Sequence, residues 1–391
     1  MSLSQGRSYL AIPGPSVIPD AVLRAMHRAS PNIYEGELHD LTATLIPDLR
    51  AVARTTGDVA IYIGNGHAAW EAALVNLLTP GDRVLVCTTG RFGHGWAEVA
   101  EGLGIEVEIL DFGQTAPVDA ARLEERLRAP DAGAFKAVLA CHVDTSTGVK
   151  SDMAAMRAAL DAAGHPALLM ADCIASLGCD DFRMDEWGVD VMVAACQKGL
   201  MTPAGIAFVW FNARAKAHRP ARVSRYWDWG PRVEPEGYYQ YFNGTAPTHH
   251  LYGLRAALDM IKAEGLDAVV ARHTTLARAL WAAFEAWGQA GPMRLNVADP
   301  AHRSHAVTSI GIGEGQGDAL RHWCEHTAGL TLGIGLGREP ASAWFRVGHM
   351  GHVNAQMIMG VLGTIQAGLI ACKVEHGGGG LEAAARVLAD A

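Results

Sequence analysis

Residues 167–198 read ALLMADCIASLGCDDFRMDEWGVDVMVAACQK. Two apolar runs stand in this stretch. Ala167-Leu168-Leu169-Met170-Ala171 closes on Asp172, and Val191-Met192-Val193-Ala194-Ala195 closes on Cys196-Gln197-Lys198. Neither run alternates apolar with polar residues. A strand with one wet face alternates; a strand that is apolar throughout is covered on both faces, as in a parallel sheet with helices packed on either side.

The pattern extends in both directions. Further strands are expected at 59–63, 83–87, 107–111, 137–142 and 206–211, with helices at 70–78, 93–102, 120–127 and 153–163. Strand–helix alternation of this kind builds an open α/β sheet. The pattern changes after residue 215. An irregular, aromatic stretch to 248 is followed by two long helices at 251–263 and 266–288. Strands are then few (304–312, 345–348), and the end is helical, which reads as a smaller α+β domain. The expected division is an N-terminal segment 1–15, a large domain 16–262 and a small domain 263–391.

Composition narrows the function. Of 391 residues, 50% are hydrophobic and 19% charged, enough apolar surface for a large core. The net charge is −9 and no basic run stands out, so no nucleic-acid partner is expected. The N-terminus lacks a charged start followed by an apolar run, so no signal peptide is expected. The apolar stretch 353–372 carries Asn354, Gln356, Thr364 and Gln366 around a helix, which favours a packed helix over a membrane span. Seven cysteines, an odd number with no C-x-x-C pair, suit a reducing cytoplasm.

In open parallel sheets, ligands gather at the carboxyl ends of the strands. Gly64-Asn65-Gly66-His67 turns from the first expected strand into a helix, a geometry that suits a phosphate. Asp144-Thr145-Ser146-Thr147-Gly148 follows the strand at 137–142 and offers hydroxyls. Asp172 ends one buried run and Lys198 follows the other. A buried carboxylate and a buried amine are costly unless matched by a partner. A phosphate cradle, hydroxyls, a carboxylate and a lysine at one sheet edge are the set that pyridoxal phosphate chemistry needs. The lysine forms a Schiff base with the aldehyde and the carboxylate keeps the pyridine nitrogen protonated. His249-His250 has no third ligand at matching spacing, and no metal is expected.

The stretches Gly64-Asn65-Gly66-His67 through Glu71-Ala72-Ala73-Leu74, Pro80-Gly81-Asp82, Ser146-Thr147-Gly148-Val149, Asp172 with Ala175-Ser176-Leu177-Gly178, Gln197-Lys198 and Arg346-Val347-Gly348 stand in one order. In that order the chain resembles the class V, fold-type I aminotransferases, within them the alanine/serine–glyoxylate group. The likeness runs from about Ile12 to about Gly351. It implies a mainly parallel seven-stranded sheet sandwiched by helices, a smaller C-terminal α+β domain and a homodimer. It further implies pyridoxal 5'-phosphate bound through Lys198, with Asp172 on the ring nitrogen. Asn65, Gly66, His67 and Gln197 would hold the phosphate, Thr145 would lie near the phenolic oxygen and Phe92 would stack on the ring. Thr245 would reach the neighbouring subunit's phosphate, and Arg346 would bind the substrate carboxylate. The implied reaction is ping-pong transfer of an amino group from serine, alanine or aspartate to glyoxylate or pyruvate.

The chain departs from the family pattern at several places. Phe92 replaces a frequent tryptophan and Cys196 a frequent serine, where a small packed side chain is expected. Phe242 stands where a tyrosine hydroxyl usually meets the phosphate, with Tyr241 and Asn243 beside it. Pro31-Asn32-Ile33-Tyr34 replaces a His-Arg pair. The segment Arg225-Tyr226-Trp227-Asp228-Trp229, with Arg232, reads more as a subunit interface than as a pocket wall. Three alternatives stay open. Pyridoxamine–pyruvate aminotransferase is opposed by the intact cradle. A cysteine desulfurase has only Cys324, in an apparent helix at 319–326, to offer. A non-catalytic α/β binding protein would not need Lys198, Asp172 and Arg346 together.

Overall fold

The computed structural model describes residues 3–391; Met1 and Ser2, at the head of the 1–15 segment, lie outside the described residues. Seven strands form one sheet in the spatial order Asp58–Gly64, Gly205–Phe211, Val191–Ala195, Leu168–Asp172, Phe135–Cys141, Arg83–Thr88, Glu106–Asp111. All adjacent pairs from Val191–Ala195 to Glu106–Asp111 are parallel. Gly205–Phe211 runs antiparallel to both its neighbours. This is the mainly parallel, seven-stranded α/β sheet that the resemblance implies.

Unbroken apolar runs now have a cause. Val138, Ala140, Leu169, Ala171, Met192 and Ala194 face one core, shared with Leu45, Leu49, Leu123, Met153 and Met156 of the covering helices. Ala137, Leu139, Leu168, Met170, Val191 and Val193 face a second core with Ala69, Trp70, Trp96 and Ala97. Successive residues point to opposite faces, and both faces are dry, so every position must be apolar.

A second sheet of five strands is ordered Tyr9–Ala11, Leu330–Ile334, Trp344–Gly348, Val307–Gly311, Arg294–Leu295. Its core includes Leu280, Phe284, Leu320, Phe345, Val361 and Leu369. The helices behind it are Leu266–Trp287, Gln316–Ala328 and Ala355–Ala371. Cys324 is buried within the second of these. The chain ends in two helices, Ala355–Ala371 and Gly380–Ala389. Among the described residues, no helix is long and apolar enough to cross a membrane.

The 225–232 segment needs correction. Trp229 is fully buried and stacks on Phe211, ring centroids 3.9 Å apart. Arg232 is 1% exposed; Nη1 donates to the carbonyls of Ile61 (2.8 Å) and Tyr241 (3.0 Å), and Nη2 to that of Tyr226 (2.5 Å). These two residues belong to the core, where a buried guanidinium is tolerable because carbonyls surround it. Of the aromatics in the segment, only Tyr226 is exposed, at 37%.

Candidate active site

The carboxyl ends of Asp58–Gly64, Phe135–Cys141, Leu168–Asp172 and Val191–Ala195 share one edge of the large sheet. At that edge lies a cavity of about 210 Å³ lined by Asn65, Gly66, His67, Trp70, Phe92, Thr145, Asp172, Ile174, Gln197 and Lys198. Every candidate residue except Thr245 and Arg346 is therefore on one wall or another.

Lys198 leaves its strand one turn past Ala195 and is largely buried. Its Nζ donates to the carbonyl of Pro13 at 2.5 Å. Ser16 clamps the same loop: its Oγ donates to the Lys198 carbonyl (2.7 Å) and its N–H to that of Gln197 (2.9 Å). Gly14, with φ of +92°, passes so close that a Cβ would overlap the Lys198 side chain. Burial, helped by the positive charge of Arg346, pushes the amine down to about 8, partly offset by Asp172. The neutral, nucleophilic form is thus accessible near neutral pH.

Asp172 is 3% exposed. Oδ1 accepts from the Ile174 N–H (2.7 Å), and Oδ2 from the Trp70 indole N–H (3.0 Å) and weakly from the Cys141 thiol (3.7 Å). No ion pair to it forms among the described residues. Burial therefore pushes the carboxyl up to about 7, against the pull of those donors.

The phosphate-cradle expectation needs a refinement. Asn65 is the N-cap of the helix Gly66–Val75, and its Oδ1 accepts from the N–H groups of His67 (3.1 Å) and Ala68 (3.4 Å). Two of the helix-start donors are therefore shared with a cap, and Gly66 N–H keeps no such partner. Gly66 packs against Ile174, where a Cβ would overlap the side chain. His67 is pushed down by burial and by the charges of Arg91 and Lys198, which favours its neutral ring. Among the described residues Gln197 makes no side-chain hydrogen bond, and its Oε1 is buried without a partner.

Of the expected hydroxyls, only that of Thr145 lines the cavity. Ser146 Oγ instead donates to Asp144 Oδ1 (2.5 Å) and accepts from Arg91 N–H (3.0 Å). Asp144 Oδ2 accepts from the N–H groups of Phe92 (2.9 Å) and Gly93 (3.1 Å). This fully buried carboxylate caps the helix Arg91–Gly102 and so sets where Phe92 stands.

Arg346 sits in the central strand of the small sheet, 6% exposed. Its Nε donates to the Ile334 carbonyl and its Nη1 to the Thr145 carbonyl, both at 2.8 Å. Nη2 makes no hydrogen bond among the described residues. Thr245 is exposed and is not among the residues that line the cavity. Cys196 is buried, its thiol donating to the Pro203 carbonyl (2.9 Å), as a small packed side chain would. Phe242 is buried between Tyr238 and Tyr241.

Sequence reasoning missed Trp70, Asp144 and the Pro13–Ser16 wrap. Trp70 was within reach, since it follows Gly66 by four residues and so lies on the same helix face as the cavity. Asp144 was also visible as an acid among hydroxyls. The Pro13–Lys198 contact joins distant parts of the chain and leaves no local trace.

A sheet of this order, with its polar groups gathered at one carboxyl edge, is the architecture of the fold-type I transferases. Comparison with known proteins narrows that class. Residues 8–355 match the family described as aminotransferase class-V. The chain is 37% identical to the serine–glyoxylate aminotransferase of Methylorubrum extorquens, over 96% of this chain and 94% of that protein. It is 37% identical to the L-aspartate–glyoxylate aminotransferase of Paracoccus denitrificans, over 91% and 89%. Among solved structures, ureidoglycine–glyoxylate aminotransferase from Bacillus subtilis superposes with a TM-score of 0.88 at 26% identity, over the whole of both chains. The chain belongs to the class-V aminotransferases.

The family implies dependence on pyridoxal phosphate, and the residues present fit that group. Asp172 is a buried carboxylate with no cation of its own, which a protonated pyridine nitrogen would complete. Gln197 carries an unpartnered amide beside a helix start, and Lys198 an amine whose base form is accessible.

Proposed function

We propose that this enzyme transfers an amino group from a small L-amino acid (serine, alanine or aspartate) to glyoxylate or pyruvate by a ping-pong mechanism. The observation that carries the reading is the convergence of Lys198 and Asp172 on one cavity, with the Arg346 guanidinium close enough to Lys198 to lower it. Relatives named for serine–glyoxylate and aspartate–glyoxylate transfer support both the reaction and glyoxylate as acceptor.

Each role follows from the chemistry of the side chain. Bound at this site, pyridoxal phosphate supplies an aldehyde for the amine and a ring that withdraws electrons from the substrate Cα. Lys198 would hold the cofactor through its amine, and the same Nζ would take the substrate Cα proton and return it. Asp172 would accept a hydrogen bond from the ring nitrogen and keep it protonated. Asn65, Gly66, His67 and Gln197 would hold the phosphate, Phe92 would pack on the ring, and Thr145 would lie near its oxygen. Arg346 takes the α-carboxylate with Nη2 and the second hydrogen of Nη1, its other donors being tied to carbonyls.

A panel of amino donors tests the reading. Serine, alanine and aspartate are mixed one at a time with the cofactor-loaded enzyme, without acceptor. Loss of the visible absorbance band and release of one keto acid per site are expected for at least one donor, reversed by glyoxylate or pyruvate. No response to any donor would overturn the assignment. Arg346→Lys is expected to raise the donor KM about 10–100-fold with the fold intact, because an ammonium forms no planar pair of bonds to a carboxylate. Steady-state kinetics check this.

The active unit is a homodimer in the cytoplasm. Thr245 would reach the partner's phosphate from its exposed position. Ile63, Tyr226 and Tyr239 are exposed large side chains; Ile63 borders the helix start, and the Tyr226 hydroxyl donates to its carbonyl at 3.4 Å. An isologous contact would bury them. The free cysteines suit a reducing compartment. Dilution that yields monomers is expected to release cofactor, read by sedimentation and absorbance on the same samples.

A further inference from the structure

We propose that Trp70 is a positioning residue, whose indole N–H fixes Oδ2 of Asp172 and so aims the carboxylate into the cavity as the acceptor for a protonated ring nitrogen. This rests on the reading of the site given above and names a residue to which that reading assigns no role.

The geometry is specific. Trp70 donates to Asp172 Oδ2 at 3.0 Å, while Ile174 N–H holds Oδ1 at 2.7 Å. One strong donor on each oxygen fixes the carboxylate plane, the Cys141 thiol adding a weak contact to Oδ2 at 3.7 Å, and Oδ1 keeps a lone pair for a ligand. The indole itself has little freedom. It is 1% exposed, stacks on Trp96 (6.1 Å, 16°), lies under His67 (4.5 Å) and meets Phe92 edge-on (6.3 Å). Nor is a partner for a buried indole automatic in this chain. Among the described residues Trp96, Trp229 and Trp287 leave their ring nitrogens without an acceptor, and Trp210 uses the backbone carbonyl of Leu49. Trp70 alone among these tryptophans reaches a carboxylate.

The energetic role follows from the burial of Asp172. Desolvation favours its neutral form, which is useless as a partner for a protonated nitrogen. The indole and Ile174 donors oppose that tendency. A phenyl ring at position 70 would keep most of the packing and lose one of the two strong donors.

The test compares Trp70→Phe with Trp96→Phe, which removes the stacked neighbour's indole nitrogen, one that bonds nothing. In the cofactor-free chain, the Asp172 titration is followed by carboxyl carbon NMR. Trp70→Phe is expected to move it up by about one pH unit, and Trp96→Phe to leave it in place. In the loaded enzyme, Trp70→Phe is expected to weaken pyridoxal phosphate binding about tenfold at neutral pH and to shift the acid limb of the half-reaction upward in pH. An unmoved titration in Trp70→Phe, or an equal shift in Trp96→Phe, overturns the proposal. If Trp70→Phe does not fold, benzothienylalanine incorporated at Trp70 keeps the two-ring shape without the N–H and carries the same comparison. Failure of the wild-type chain to bind pyridoxal phosphate would sink the functional reading; the cofactor-free titration would still decide the role of Trp70.

Discussion

Lys198→Ala is expected to lower the rate of transamination by about 10⁴-fold or more, since it removes both the covalent anchor and the group that carries the Cα proton. The folded chain is expected to keep or slightly gain thermal stability, because the amine is a buried cation whose one partner among the described residues is the Pro13 carbonyl. That combination separates a catalytic lysine from a structural one; loss of a structural lysine lowers the melting temperature with the activity. The wild-type amine gives a second readout. An amine attacks an aldehyde only when neutral, and burial holds Lys198 at about 8. Uptake of pyridoxal phosphate by cofactor-free protein is therefore expected to speed up as pH rises through about 8, followed by stopped-flow absorbance. A rate flat to pH 10 would mean that Lys198 is not the acceptor of the aldehyde.

Asp172→Asn is expected to cost about 10²–10³-fold in kcat/KM. Breaking a buried ion pair by removing one partner costs roughly 3–5 kcal/mol, and here the other partner is the ring nitrogen. Asparagine keeps the size and, through Oδ1, an acceptor for Ile174 or Trp70. The loss would therefore report charge and not shape. The cofactor-free chain is expected to respond with the opposite sign. In the folded state the Asp172 carboxyl is raised from 3.8 to about 7. A group whose folded pKa lies above its unfolded value favours the fold below the unfolded pKa, and that advantage is lost as pH rises toward the folded pKa. Asp172 therefore destabilises the empty chain progressively between about pH 4 and 7. Asp172→Asn is expected to raise its melting temperature, more at pH 7 than at pH 5. A pH-independent effect, or a loss of stability, would place a cation beside Asp172 that the structure does not contain.

How far the sequence reaches can be judged from these same residues. The doubly covered sheet is written into 137–141, 167–171 and 191–195, because burial on both faces demands apolar residues at every position. Asp172 and Lys198 stand out for the same reason: each ends a dry run with a charge. Legibility fails where the cause is distant in sequence. Tyr9–Ala11 pairs with Leu330–Leu332, and nothing local in either segment names the other. The helix Glu37–Ala53 carries Pro47 in its interior, a residue that argues against a helix when read alone. The Ser146 hydroxyl looked free for a ligand, yet Asp144 and the Arg91 N–H take it. Trp229 and Arg232 looked like interface residues by type, but Phe211 and three carbonyls claim them for the core. In each case the residue's chemistry was visible and its partner was not.

The most direct test of the site is reductive trapping. The protein is loaded with pyridoxal phosphate, reduced with borohydride, digested and analysed by mass spectrometry. One phosphopyridoxyl group per chain is expected, on the peptide containing Lys198 and absent from Lys198→Ala. A modified lysine elsewhere, a pyridoxyl group without phosphate, or no modification at all would contradict the account.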